Sequence, residues 1–448
     1  MSVRADASLP LVGVVHRPYG AAGLRDVYRA AQGLCRPVLI FRGPVAGTYP
    51  ELVELARAMF PVHVLPDDDP VPAVAALRLR GLTTFHDDEL DFTDHLLRAL
   101  DLPGAPATGS PWDKLVQRRA FARAGLSTLP FASVDSAEEF RRALREVRLP
   151  AVLKPRRAVG GRGVTFLRDP DDVRRVLSLR TSWAGLLLEG LIPPSAHPSG
   201  VPWLADFVSV ETVSTATRRT HCAVFDKAPV SIRDAAGPEG ADLVRVTGDV
   251  VPSRLPAQTR DLVLKRTGEA LDALGTRCRV THTELRVTPD EIEVIEVNGR
   301  VGGHLTRLLR PLGGPDLVRS ALTLALGETA GEELPEQPAD LGRSGFMVGL
   351  FVPFPHEDGT VASRVSRADL RALPGVVGVD EVAEHGAARA DTGFRAANVT
   401  LRFATAEELD AAVGPVARGI AGLFAADGLA DDPWLRRLAP AREQGGTP

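Results

Sequence analysis

The sequence predicts a mixed α/β and α+β protein of more than one domain, and three observations carry that expectation. The chain has 448 residues, more than one hydrophobic core ordinarily organises. Its opening part alternates short apolar runs with helical patterns, as a parallel sheet with crossover helices does. Its closing part is strand-rich, with one amphipathic helix, and follows a polar stretch at 332–343 that holds two prolines. These features divide the chain into an N-terminal α/β domain at 1–108, a central domain at 109–331 and a separate C-terminal α+β domain at 344–440.

The elements follow in order. PLVGVVHR (10–17) and PVLIFRG (37–43) read as buried strands, with GLRDVYRAAQGL (23–34) the helix between them. ELVELARAMF and VHVLP repeat the theme, and GLTTFH (81–86) adds a strand. No G-x-G-x-x-G follows the first strand, so a dinucleotide site is not expected there. GSPWDKLVQRRAFARAG (109–125) is a helix with Ser110 at the N-cap, Pro111 at its first position and Gly125 closing it. SAEEFRRALREV (136–147) opens with Ser136 and Glu139 in capping-box spacing. Strands AVLKP and VTFL flank a glycine-rich loop, DPDDVRRVLSL is a helix, and GLLLEGLI (185–192) is an apolar strand with one acid. The next stretch is β-rich. Beyond the polar linker, FMVGLFVPF, VVGVDEV and NVTLRF are strands and EELDAAVGPVARGIAGLF is an amphipathic helix.

Composition excludes several classes. A net charge of −4 leaves no basic footprint for nucleic acid or an anionic membrane. Cys35, Cys222 and Cys278 lie far apart, which fits a reducing compartment and no zinc site. The opening apolar run is too short for a signal peptide and no run is long enough to span a membrane, so a cytoplasmic location is expected. A homodimer is the default assembly.

Lysine is scarce. Lys114, Lys154, Lys227 and Lys265 are the only four among 53 Lys and Arg, so each stands where arginine was available. Lys154 ends a strand just before Gly160, Gly161 and Gly163. The loop is not a Walker loop, but glycines free the backbone to bend over phosphates, and an ammonium is a compact charge to place beside them. An ordinary hairpin with a surface lysine fits the same letters. A second cluster, THTELRVTPDEIEVIEVNGRVGGH (281–304), reads as two strands joined at 288–291. Period two puts His282, Glu284 and Arg286 on one face of the first, and Glu296, Asn298 and Arg300 on one face of the second. If the strands pair, Glu284 and Glu296 converge with Asn298 beside them, a hard-oxygen set suited to Mg²⁺. Asparagine occurs only here and at Asn398. A salt-laced surface hairpin is the alternative. His304, after two glycines, is a candidate substrate contact.

Taken in order, Asp113–Lys114, V-L-K-P with its glycine loop, L-L-E-G-L-I, S-V-E and E-x-N-x-R resemble the ATP-grasp superfamily. T-H-T-E-L-R, E-V-N-G-R-V-G-G-H, V-F-D-K-A-P around Lys227, and the later FVPFP and LPGVVGVDEV make the chain most similar to the L-amino acid ligases. The resemblance implies an ATP-grasp fold with an N-terminal α/β domain before it and a lid at about 128–195. It implies that Lys114 and Lys154 contact ATP phosphates, that Glu189, Gly190 and Leu191 form a hinge on adenine, and that Glu211 accepts from the ribose hydroxyls. Glu284, Glu296 and Asn298 would hold two Mg²⁺ ions, with Mn²⁺ the alternative metal, and Arg300 would act on the transferring phosphoryl group or the substrate carboxylate. The implied activity is ATP-dependent amide formation between amino-acid-like small molecules through an acyl phosphate. An ATP-grasp carboxylase using bicarbonate, and a non-catalytic nucleotide-binding subunit, are the rivals. Lys227 is a candidate to line the cavity or to pair with an acid, Arg233 and Arg245 are candidate carboxylate clamps, His282 is a candidate substrate contact or base with a packed structural role the alternative, and Lys265 has no assigned role.

Overall fold

Near-continuous apolar runs build the first layer. The structure is a computed structural model that describes residues 8–438, apart from 107–110, 159, 235–236, 290, 328–340 and 357. In it β1 (Leu11–Val15), β2 (Arg36–Arg42), β3 (Val62–Leu65) and β4 (Gly81–Thr84) form a parallel sheet in the order β3-β2-β1-β4. Helices α1 (Leu24–Ala31) and α2 (Leu90–Ala99) are among those that accompany it. The order reverses at β1, so a crevice lies beyond the carboxyl ends of β1 and β4. A Cβ on Gly81 would come within 1.8 Å of the Ala325 carbonyl oxygen. That glycine lets β4 meet the end of a later helix, Leu317–Ala325.

Helix α3 (Lys114–Arg123) begins later than the sequence suggested. Its N-cap is Asp113, whose carboxylate accepts from the Leu115 N–H at 2.9 Å. Ser110, the expected cap, lies outside the described residues. The segment expected to form a lid follows as β5 (Phe131–Val134), α4 (Ala137–Val147), β6 (Ala151–Pro155), β7 (Thr165–Leu167), α5 (Pro170–Leu179) and β8 (Leu186–Gly190). Ser136 caps α4 by accepting from the Glu139 N–H. Its four strands make an antiparallel sheet, β5-β8-β6-β7, over a core that includes Phe140, Leu153 and Leu188.

The third layer is one eight-stranded sheet. Its first members are β9 (Phe207–Ser214) and β10 (Arg219–Lys227); a small hairpin, β11 (Ser231–Arg233) with β12 (Leu243–Arg245), lies apart from it. Then come β13 (Gly248–Val251), α6 (Ala257–Ala273), β14 (Arg279–Val287), β15 (Ile292–Asn298), α7 (Leu317–Ala325), β16 (Phe346–Pro353), β17 (Val376–Val382), β18 (Arg395–Phe403) and α8 (Ala406–Leu423). The strand order is β15-β14-β9-β10-β13-β16-β18-β17. The sequence set 344–440 apart as a separate domain. β16 nonetheless pairs with β13, so the C-terminal strands extend the central sheet instead of making one of their own. They do keep a core of their own, with Leu350, Val399, Ile420 and Trp434 buried together. Among the described residues no helix is long and apolar enough to cross a membrane.

Candidate active site

The site is built on the sheet's free edge. β15 is an edge strand, and an edge leaves backbone groups without ladder partners. Side chains of α3 supply them. The Gln117 amide donates to the Val297 carbonyl at 2.7 Å and accepts from the Val297 N–H at 2.9 Å. Arg118, 2% exposed, donates to the carbonyls of Val294 and Ile295 and to the carboxylates of Glu189 and Glu293. These bonds lock α3 to β15, and so bring Lys114, at the helix start, to Glu296. Sequence reading missed both residues; the only signal was two long polar side chains one turn past the Asp113–Lys114 pair.

The predicted hairpin forms in the predicted register. Glu284 stands opposite Glu296, and His282 opposite Asn298. Two carboxylates directly opposed repel each other unless cations hold them. Lys114 Nζ lies 2.9 Å from Glu296 Oε2, and Asn298 Nδ2 donates to Glu296 Oε1 at 3.0 Å. Burial works against the charged form, yet Lys114 and Asn298 hold the Glu296 carboxyl at about 2. Glu284 is bound by His282 Nε2 at 3.2 Å. The His282 Nδ1 also pairs with Glu211, and the two carboxylates, Glu211 first, overcome burial to push the imidazole up to about 9. The ring is therefore a cation at neutral pH.

Glu211, expected to meet the ribose hydroxyls, is 0% exposed, and its oxygens accept from His282 and from the Gly302 N–H at 3.0 Å. These bonds hold His282 beside Glu284 and fix the turn after Arg300. A Cβ on Gly302 would lie within 2.3–2.7 Å of Leu305, His282 and Glu211, so only glycine admits this approach.

The lysine wall is present, with its parts rearranged. Lys154 Nζ lies 2.5 Å from Glu189 Oε1, and Arg118 takes the other Glu189 oxygen at 2.8 Å. Against burial, these two cations hold the Glu189 carboxyl at about 2. Burial lowers the Lys154 pKa, Glu189 opposes it, and Arg118 and Lys114 lower it further. At the expected hinge, the Gly190 and Leu191 N–H groups donate to the carbonyls of Pro130 and Pro150. Glu189 joins Lys154 to Arg118. Gly160, Gly161 and Gly163 all adopt positive φ, at 62°, 74° and 72°. A Cβ at Gly161 would lie 2.8 Å from Val244 and one at Gly163 2.8 Å from Pro155, while Gly160 faces open space.

The remaining candidates separate. Arg300 donates through Nε and a terminal nitrogen to Asp87 Oδ2, at 2.8 and 2.5 Å, which ties the site to the crevice beyond β4. Lys227 is buried 2.5 Å from Asp249. Arg233, considered a carboxylate clamp, is instead paired with Asp432 at 2.7 Å. Arg245 lies over the Phe394 ring. Lys265 is exposed. His304 rests against Phe351, ring centroids 5.6 Å apart, and burial holds its pKa down, so it is neutral.

The residues suit a nucleotide and a magnesium ion. Lys154 sits among cations with one carboxylate partner, and a further anion beside it would relieve that strain. A Cβ on Gly160 would meet nothing within 4 Å, so the loop is open there. Glu284, Glu296 and Asn298 are hard-oxygen donors. No group of three or more His, Cys, Asp or Glu among the described residues is arranged to hold a metal unaided. Magnesium ordinarily needs only one or two carboxylates, with water and phosphate oxygens completing its shell.

Residues 119–197 match the ATP-grasp domain family. The fold is that of ATP-grasp proteins. Within this class it is similar to ligases that join a carboxylate to an amine. The L-amino acid ligase of Bacillus licheniformis superposes with a TM-score of 0.67 over 90% of this chain and 95% of that one, at 19% identity. Alanine–anticapsin ligase of Bacillus subtilis is 24% identical over 249 residues, 51% of this chain and 49% of that protein. The chain thus spans about half the length of the curated relatives it matches. The biotin carboxylase domain of the Hydrogenobacter thermophilus 2-oxoglutarate carboxylase, in complex with MgADP, ADP and bicarbonate, superposes with a TM-score of 0.60 at 16% identity, over 96% and 97% of the two chains.

Proposed function

We propose that the chain is an ATP-dependent carboxylate–amine ligase that joins two amino-acid-like substrates and releases ADP and phosphate. The observation that carries this reading is the opposed Glu284–Glu296 pair with Lys114 and Asn298 on it. A surface hairpin has no use for two half-buried, confronted acids. Phosphoryl transfer has a use for them. A carboxylate does not react with an amine, because oxide is a poor leaving group. Transfer of the γ-phosphoryl to the carboxylate oxygen gives an acyl phosphate. The amine nitrogen then attacks the acyl carbon, the C–O bond to phosphate breaks, and the amine gives up a proton. Glu284, Glu296 and Asn298 are the proposed metal set, and magnesium bound there would neutralise charge on the phosphate oxygens. Lys114, Lys154 and the loop of Gly160, Gly161 and Gly163 are the proposed phosphate contacts. Arg300, braced by Asp87, is the proposed partner of the acyl phosphate, and the lid would keep water from it.

The second reading, a carboxylase using bicarbonate, is favoured by the likeness to a biotin carboxylase domain. One measurement separates them: phosphate release from ATP and Mg²⁺ over a panel of amino acids, singly and in pairs, with bicarbonate as a further arm. Release with pairs, accompanied by an amide product, is expected. Release with bicarbonate and no amine would overturn the ligase reading.

A further inference from the structure

The second of the chain's two asparagines, Asn398, lies on the same face of the sheet as the acids. Opposed residues of an antiparallel pair project to one side. Glu296 opposes Glu284, Glu284 opposes Ser209, and Ser209 opposes Phe225. Two residues on, Lys227 opposes Asp249, which opposes Gly349. Two residues further, Phe351 opposes Asn398. A stepped path on one face thus runs from the proposed metal set into the C-terminal strands.

At its far end the path is unfinished. Asn398 is 1% exposed, and its Nδ2 has no hydrogen-bond partner. A buried amide left in this way is costly and calls for a partner. Arg395, which opposes Pro353, lies over the Phe351 ring with its guanidinium 5.5 Å from the centroid. Among the described residues no acid pairs with it and no carbonyl accepts from its side chain. A ring face holds a guanidinium in place without neutralising it. The neighbouring cation, Arg307, is satisfied by Asp26 at 2.9 Å and Asp380 at 2.6 Å. His304, on the same Phe351 ring, is neutral. One unmatched positive charge and one unmatched amide donor therefore both flank Phe351, which packs on His304 in the turn that follows Arg300.

We propose that Arg395 and the Asn398 amide are the residues that bind the carboxylate of the amine-bearing amino acid and so distinguish it from a simple amine. A guanidinium fork matches a carboxylate bidentately, and the amide adds a donor. The assignment rests on the ligase reading above, and it adds the residues that select the second substrate.

The test uses the full chain and the amino-acid pair that gives the most amide product. The acceptor is supplied either as the L-amino acid or as its α-carboxamide, and KM is measured for each. In the native chain the carboxamide is expected to show a KM roughly 10- to 100-fold higher. R395M should raise the KM for the amino acid by a similar factor, while the KM for ATP and for the donor carboxylate stays within about twofold. The preference for acid over amide should collapse towards one. R395Q gives the same readout if the methionine variant is unstable. N398D, which sets a like charge at the site, should weaken the amino acid and spare its carboxamide. An unchanged acid-to-amide preference in R395M or R395Q overturns the clamp while leaving the ligase reading intact. A rise in the KM of the donor instead of the acceptor overturns the assignment to the amine substrate. A native chain that forms no amide with any pair removes the ligase reading, and the acceptor site with it.

Discussion

Single side chains in this site are fixed by their neighbours' charges, and two substitutions test that. Glu296 confronts Glu284 and pairs with Lys114. Glu296→Gln keeps the shape, removes the pair with Lys114 and also removes the repulsion. Turnover should therefore fall by at least about 100-fold, while the melting temperature stays within about 5 °C of the native value. Normal turnover in this variant would remove the proposed metal set. Glu189 tests the buried cations. Its carboxyl is held at about 2 against an ordinary value of 4.5. A depressed carboxylate contributes stability that is fully present above its unfolded pKa and is lost as the pH falls through the folded value. The contribution is on the order of 3 kcal/mol at neutral pH. Unfolding free energies measured between about pH 5 and pH 2 should fall more steeply for the native chain than for Glu189→Gln. Equal slopes would mean that Arg118 and Lys154 do not hold that charge. The letters of the sequence marked both acids. They did not say whether Glu189 and Glu211 served a ligand or the protein's own cations, because period two gives a side chain's face and not its partner. In the structure Glu211 pairs with His282, one strand away, and Glu189 with Lys154 and Arg118.

Among the elements, those with local signals were legible. Ser136 with Glu139, the Asp169–Pro170 helix start and the period-two hairpin at 281–298 all depend on residues a few positions apart, and they formed where expected. Helix α3 was legible as a helix but not in its function. Its N-cap moved to Asp113, and its buried face turned out to be polar, because it satisfies a sheet edge that no local pattern foretells. Gln117→Ala would leave both backbone groups of Val297 unpaired. Stability should fall by about 1–3 kcal/mol. Because Val297 adjoins Glu296 and Asn298, the apparent affinity for Mg²⁺ in turnover should fall as well. Gln117→Glu, which can accept from the N–H but cannot donate to the carbonyl, should lie between the two. Hydrogen exchange of the Val297 amide reads the same change without turnover. If that amide is as protected in Gln117→Ala as in the native chain, the edge does not depend on α3.

At the scale of the whole molecule the three layers are joined through the site, and the sequence could not show that. The polar stretch at 332–343 suggested a detachable C-terminal domain, since composition reports where a chain leaves a core and not which sheet it later rejoins. The pairing that decides the matter is between distant segments: Gly248 with Leu350, Asp249 with Gly349, Val250 with Val348 and Val251 with Met347. Met347 and Leu341 also enter the core that holds Val251, Leu305 and Leu308, directly after the proposed catalytic turn. A chain ending at Gly327 would therefore expose the β13 edge and open that core. It would also lose Phe351, against which His304 rests. An unpaired edge flanked by apolar residues is a template for association. The truncated chain should be recovered mainly as aggregate, and any soluble fraction should lack a cooperative thermal transition and should not bind ADP. The complementary fragment from Leu341 onward should fail to fold alone for the same reason, although it carries its own buried cluster around Ile420 and Trp434. Mixing the two during refolding should restore some ADP binding, because the β13–β16 register is specified by side chains on both strands. A soluble, cooperatively folded, ADP-binding chain ending at Gly327 would show that the C-terminal strands are an addition to the site and not part of its foundation.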